Sequence, residues 1–130
     1  MIKRHYLSLL FEYLELFPCV AVLGVRQCGK TSLLGNLSAD WVLYDLEKLD
    51  DYNLIARDPD LFFRLHPNQV AIDESQLLPG LFSALRVAID NDRSKTGRFI
   101  LTGSSSPALL TSISESLAGR VAVIDLSPFT

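Results

Sequence analysis

The sequence predicts an α/β domain in which strands alternate with helices. Three observations carry this. Five short apolar runs, Cys19 to Leu23, Trp41 to Tyr44, Gln69 to Ile72, Arg98 to Thr102 and Val121 to Leu126, are separated by stretches that read as helices and loops. A glycine-framed segment, Gly24-Val25-Arg26-Gln27-Cys28-Gly29-Lys30-Thr31, joins the first run to a stretch where Leu33, Leu34 and Leu37 recur at helical spacing. Two acids, Asp73 and Glu74, follow the third run directly.

Tyr6 to Phe17 reads as a helix with a narrow polar stripe of Ser8, Glu12 and Glu15, stopped by Pro18 and expected to be largely buried. Cys19 to Leu23 is apolar and partly β-branched, as a buried strand should be. The segment after it fits the phosphate-binding pattern G-x-x-x-x-G-K-[ST] in its required strand, loop, helix setting. A polyphosphate needs many N–H donors converging without intervening side chains, which Gly24 and Gly29 permit. Lys30 is suited to reach the β and γ phosphates, the helix start adds its dipole, and the Thr31 hydroxyl is a magnesium ligand. Arg26, Gln27 and Cys28 are spacers that contribute backbone, and Val25 and Ser32 complete the binding set.

Trp41 to Tyr44 is a second strand ending at Asp45. The acidic stretch from Leu46 to Pro67 carries short helices, one capped by Asp58 with Pro59 in its first turn. Glu47, Asp50, Asp51, Asp58 and Asp60 read as a solvated face with caps. At the end of the next strand, Asp73 suits magnesium and Glu74 suits orienting and deprotonating a water that attacks the γ phosphate. Gln76 reads as a polar helix-entry residue or a contact to a substrate or neighbouring subunit.

Leu81, Phe82, Leu85, Ala88 and Ile89 form one apolar helical face, and Asn91 to Gly97 is a polar loop. If Arg98 to Thr102 lies between the strands leading to Lys30 and Asp73, its carboxyl end adjoins the γ phosphate, where Thr102 or Ser104 is placed to sense it or position water. Ser106 with Pro107 starts a short helix, and Ser112 with Glu115 has capping-box spacing. Gly119 ends a helix, leaving Arg120 to complement the helix dipole.

With 48% hydrophobic residues in 130, the chain can bury one core but hardly two. A mean hydropathy of +0.24 suggests apolar surface that a partner or further domain covers. The net charge of −3 argues against direct nucleic-acid binding by this domain. No apolar run nears the roughly 20 residues that cross a bilayer, and Glu12 and Glu15 interrupt any signal-like segment, so a cytoplasmic location without membrane is expected. Cys19 and Cys28 read as thiols, and His5 and His66 lack metal-ligand spacing. Without an N-K-x-D type element, adenine is the default base.

Together, Gly24 to Thr31, Ile72-Asp73-Glu74-Ser75-Gln76, Leu101 to Ser106 and Glu115-Ser-Leu-Ala-Gly-Arg-Val121 resemble the AAA-like ATPases of prokaryotes, of the additional-catalytic-glutamate class of P-loop NTPases. The resemblance implies a three-layer fold with a mostly parallel five-stranded sheet, a sensor strand between the phosphate-loop and acidic strands, and ATP and Mg2+ at their carboxyl ends; it also makes Arg120 a candidate contact to phosphate in its own or a neighbouring chain. It places Arg4 and Tyr6 near adenine as candidates, although core packing explains them more simply. Longer members resemble this domain followed by a winged helix and a further C-terminal domain. Residues 1–130 are expected to form one ATPase core without the helical lid and its sensing arginine. Three activities fit: an ATP hydrolase, a nucleotide-gated module that ATP orders for a partner and whose hydrolysis is slow or absent without that partner or a second subunit, and a small-molecule kinase. The kinase ranks last because only Arg120 could furnish a lid arginine late in the chain.

Overall fold

The structure is a computed structural model that describes residues 4–24 and 34–126. Val25 to Ser32, including Lys30 and Thr31, and the Arg4 side chain lie outside the described residues. In chain order come α1 (Arg4–Leu16), β1 (Cys19–Leu23), β2 (Val42–Asp45), α2 (Leu49–Ala56), α3 (Pro59–Leu65), β3 (Val70–Asp73), a 3-10 turn (Ser75–Leu77), α4 (Leu81–Asp90), β4 (Phe99–Gly103), α5 (Pro107–Leu117) and β5 (Val121–Asp125).

The strands form one sheet in the order β2-β3-β4-β1-β5, and every neighbouring pair is parallel. The expectation of a mostly parallel sheet is therefore met by a wholly parallel one. Parallel neighbours need long crossovers, which the helices supply on both faces. β1 and β4, in the interior of the sheet, are buried along their whole length. Side chains alternate between the faces: Cys19, Ala21 and Leu23 meet α2 to α5, whereas Val20 and Val22 meet α1 and the segment containing Leu34, Leu37 and Trp41. Burial pushes the Cys19 thiol pKa well up, so this cysteine stays protonated packing material.

The larger core centres on Phe63, which packs edge-on against Phe62 and Phe99. Asp58 caps α3 by accepting from Leu61 N at 3.1 Å, as its position before Pro59 predicts. His66 stacks near Phe62 and Tyr44 and is a packing residue. Gly97 has φ +65, and a Cβ there would stand 3.0 Å from the Leu14 carbonyl oxygen. Glycine lets the chain pass beneath α1 into β4. The buried Arg98 then donates from Nε to the Pro67 carbonyl at 2.9 Å and lies over the Phe99 ring, so desolvation lowers its pKa.

Two local expectations are corrected. α1 is not largely buried: Leu10 is fully enclosed, but Phe11 and Leu16 are 44% and 62% exposed. A helix on the outer layer can turn only one face to the sheet, whatever its apolar content. Ser112 and Glu115 do not start a helix, because α5 already runs through both from Pro107. The Ser106 hydroxyl, accepting from Leu109 N at 3.2 Å with Pro107 following, provides the start three residues after β4 ends at Gly103. No described helix is long and apolar enough to cross a membrane.

Candidate functional site

The carboxyl ends of β3, β4 and β1 lie side by side, which brings residues distant in sequence to one edge. Gly24, the first residue of the phosphate-loop pattern, has φ 109 and donates its N–H to the Gly103 carbonyl at 3.1 Å. Asp73 ends β3, two strands away across β4. With parallel strands spaced about 4.8 Å, that separation is about 10 Å, the scale of a phosphate chain with its cation.

Thr102 organises the acids. It is fully buried, its hydroxyl donates to Asp73 Oδ1, and its Oγ1 accepts from Glu74 N at 3.2 Å. Its carbonyl accepts from Ser75 Oγ at 2.8 Å. The threonine expected to face the nucleotide is thus turned inward and acts on Asp73 and Glu74. Both acids are half-buried at the edge of the sheet.

Glu74 has φ 59 and ψ 48, an uncommon left-handed conformation for a non-glycine residue. The turn swings the chain out of β3 into the 3-10 turn, closed by Leu77 N to the Glu74 carbonyl at 3.1 Å. It also folds Gln76 back, whose Nε2 donates to Glu74 Oε1 at 2.8 Å. That contact was missed from sequence, and its signal would have been the strained step from strand to turn at Asp73-Glu74. Local strain of this kind concentrates at functional positions.

Ser104 sits half-buried after β4, at the same edge. Ser105 Oγ reaches Asp125 Oδ1 at 3.5 Å, linking the β4 turn to the end of β5. Tyr6 is half-buried and packs against the smaller core, next to His5. On the β2 side, Asp45 pairs in register with Asp73, while its amide donates to Asp51 Oδ2 at 2.9 Å and its carboxylate accepts from Glu47 N at 2.9 Å. Those side chains serve the turn, in agreement with the reading of caps and solvated surface.

Arg120 lies at the opposite edge. It precedes Val121, which pairs with Cys19 at the amino end of β1. Its Nε and Nη2 donate to the two Asp90 oxygens at 2.8 and 2.9 Å, and Nη1 donates to the Ala118 carbonyl at 2.9 Å. The hydrogen bond to Arg120 holds the Asp90 carboxyl below its ordinary pKa, against a smaller opposing effect of desolvation, and raises that of the guanidinium. β1 extends for about 16 Å from this edge, more than an arginine side chain spans. The expectation of a phosphate contact within the same chain is therefore corrected, whereas the helix-terminus role is met, with Gly119 at φ +76.

A family profile described as an AAA domain matches residues 17–130. The chain belongs to the AAA domain family. This membership supports a nucleotide-binding, ATPase-like domain, and the AAA match covers both the loop pattern and the acidic strand. Two curated relatives, uncharacterized proteins of Mycobacterium bovis and Mycobacterium tuberculosis, are each 39% identical over 130 residues. The alignments cover 98% of this chain but 29% of either relative, so the AAA domain described here spans less than a third of their length.

Proposed function

We propose that the domain binds Mg-ATP through Gly24 to Ser32 and hydrolyses it to ADP and phosphate to drive a conformational change. The observation that carries this reading is the β3-β4-β1 order, with Gly24 bonded to Gly103 and Thr102 fixing Asp73 and Glu74 on the adjoining edge. In this reading Lys30 neutralises charge on the β and γ phosphates, and backbone amides of Val25 through Thr31 surround them. Glu74 accepts a proton from a water whose oxygen bonds to the γ phosphorus while the bond to the bridging oxygen breaks, releasing ADP. Ser104 adjoins the departing phosphate, and Thr102 acts by positioning the two acids.

Asp73 fits magnesium because it offers a hard carboxylate at the sheet edge, oriented by a hydroxyl donor. Thr31 and Asp73 would hold the ion, which would neutralise charge on the β and γ phosphate oxygens. The proposed unit is one cytoplasmic ATPase core spanning residues 1–130, working with a second copy or protein partner and without direct nucleic-acid contact. A winged helix and C-terminal domain, as in longer AAA-like proteins, would be the elements its motion moves.

A second reading, nucleotide-gated binding with little turnover by the lone chain, is favoured by Arg120 being engaged with Asp90 at the far edge. Arginine assistance from that residue would have to reach a neighbouring copy's phosphates. Melting curves and phosphate release separate the readings. Mg-ATP should raise the Tm, Lys30→Ala should abolish that shift, and Glu74→Gln should keep the shift but stop release. Nucleotide-dependent stabilisation without phosphate release from concentrated parent protein would transfer the conclusion to the gated module.

A further inference from the structure

We propose that Gln76 is the positioning residue for the Glu74 carboxylate, and that Gly103 is glycine in order to seat it. The inference rests on the hydrolytic reading of Glu74 and extends it to Gln76, which the sequence offered only as a helix-entry residue or a contact to a substrate or neighbouring subunit. Gln76 spends one end of its amide on Glu74, donating from Nε2 to Oε1 at 2.8 Å. Its other end, Oε1, is buried and accepts no hydrogen bond among the described residues. A buried acceptor without a donor is costly, and a leucine or methionine of similar reach would fill the space without that cost. Packing therefore does not account for an amide at this position. The bond to Glu74 does, because a neutral donor fixes a carboxylate without cancelling its charge.

Gly103 provides the matching half of the device. A Cβ there would fall 2.5 Å from Gln76 Oε1 and 2.7 Å from Leu109 Cδ2, so any side chain would drive the amide away. Gly103 is itself immobilised in the sheet, paired with Leu23 and accepting the Gly24 amide at 3.1 Å. The Glu74 carboxylate is thereby referenced, through Gln76, to the junction where the phosphate loop leaves β1. The left-handed turn at Glu74 supplies the geometry, since it brings residues 74 and 76 onto one side of the 3-10 turn.

The test begins with Gln76→Leu, which preserves bulk and removes the donor. Its KM for Mg-ATP and its Mg-ADP-induced Tm shift should stay within about twofold of the parent, while kcat falls about tenfold. Gln76→Glu, which faces one carboxylate with another, should reduce kcat further. A structural residue would instead move KM and stability along with kcat. Parental kcat in Gln76→Leu would overturn the proposal while leaving the hydrolytic reading intact.

A readout independent of turnover comes from unfolding midpoints. The shift caused by Glu74→Ala should be smaller in the Gln76→Leu background, and that caused by Gly103→Ala smaller in a Gln76→Ala background. Additive shifts in both cycles would also refute the positioning. If the parent releases no phosphate yet the cycles are coupled, the hydrolytic reading fails and the Gln76 placement stands.

Discussion

Replacing Thr102 by valine tests the part of the site that fixes both acids. Valine matches threonine in shape but deletes the hydroxyl, and with it the donor to Asp73 Oδ1 and the acceptor for Glu74 N. A hydrogen bond to a charged group is worth about 1.5–3 kcal/mol, and a buried amide left without its acceptor costs about 1 kcal/mol or more. Because Thr102 is 0% exposed, little solvent is available to replace either bond. Together they make Thr102→Val about 3 kcal/mol less stable, a fall in Tm of about 10 °C for a domain of this size. Thr102→Ser keeps the hydroxyl and loses one buried methyl, about 1 kcal/mol. Urea and thermal unfolding of the three proteins measure the difference. A valine variant as stable as the serine variant would show that the hydroxyl does not organise Asp73 and Glu74.

Other expectations concern the frame around the site. Gly97→Ala combines a left-handed backbone with a Cβ 3.0 Å from the Leu14 carbonyl oxygen, so the urea midpoint should fall by an amount equal to about 2 kcal/mol. An unchanged midpoint would mean that the turn relaxes freely. Asp90→Asn should remove the pairing with Arg120, with a modest effect because Asp90 is exposed, Arg120 is only partly buried, and salt screens the pair. Asp90 has a lowered folded pKa, so its contribution is complete above its unfolded value of about 3.9 and is lost as pH falls through the folded value. The stability gap between parent and Asp90→Asn should therefore close in acid. A gap that widens there would reverse the assigned cause.

Much of the frame was legible because it depends on local chemistry. Apolar runs of strand length, proline and glycine punctuation, and the caps at Asp58 and Ser106 each act within a few residues. The loop pattern and the Asp73-Glu74 pair were legible for the same reason, being contiguous. The inward turn of Thr102 was not, since an expected strand order does not tell which partner a hydroxyl takes across 28 residues. Arg120 was ambiguous until β5 was placed: its helix-end position was readable from Gly119, but Asp90, thirty residues earlier, was invisible as a partner. The burial of α1 was overestimated because apolar content does not tell how many neighbours a helix has.

The account's central claim is a triphosphate gripped beside the Asp73 and Glu74 edge, and isothermal titration of the folded chain with Mg-ATP tests it most directly. The expected result is saturable binding at one site per chain, competed by ADP and lost in Lys30→Ala. No heat and no competition from well-folded protein would contradict it.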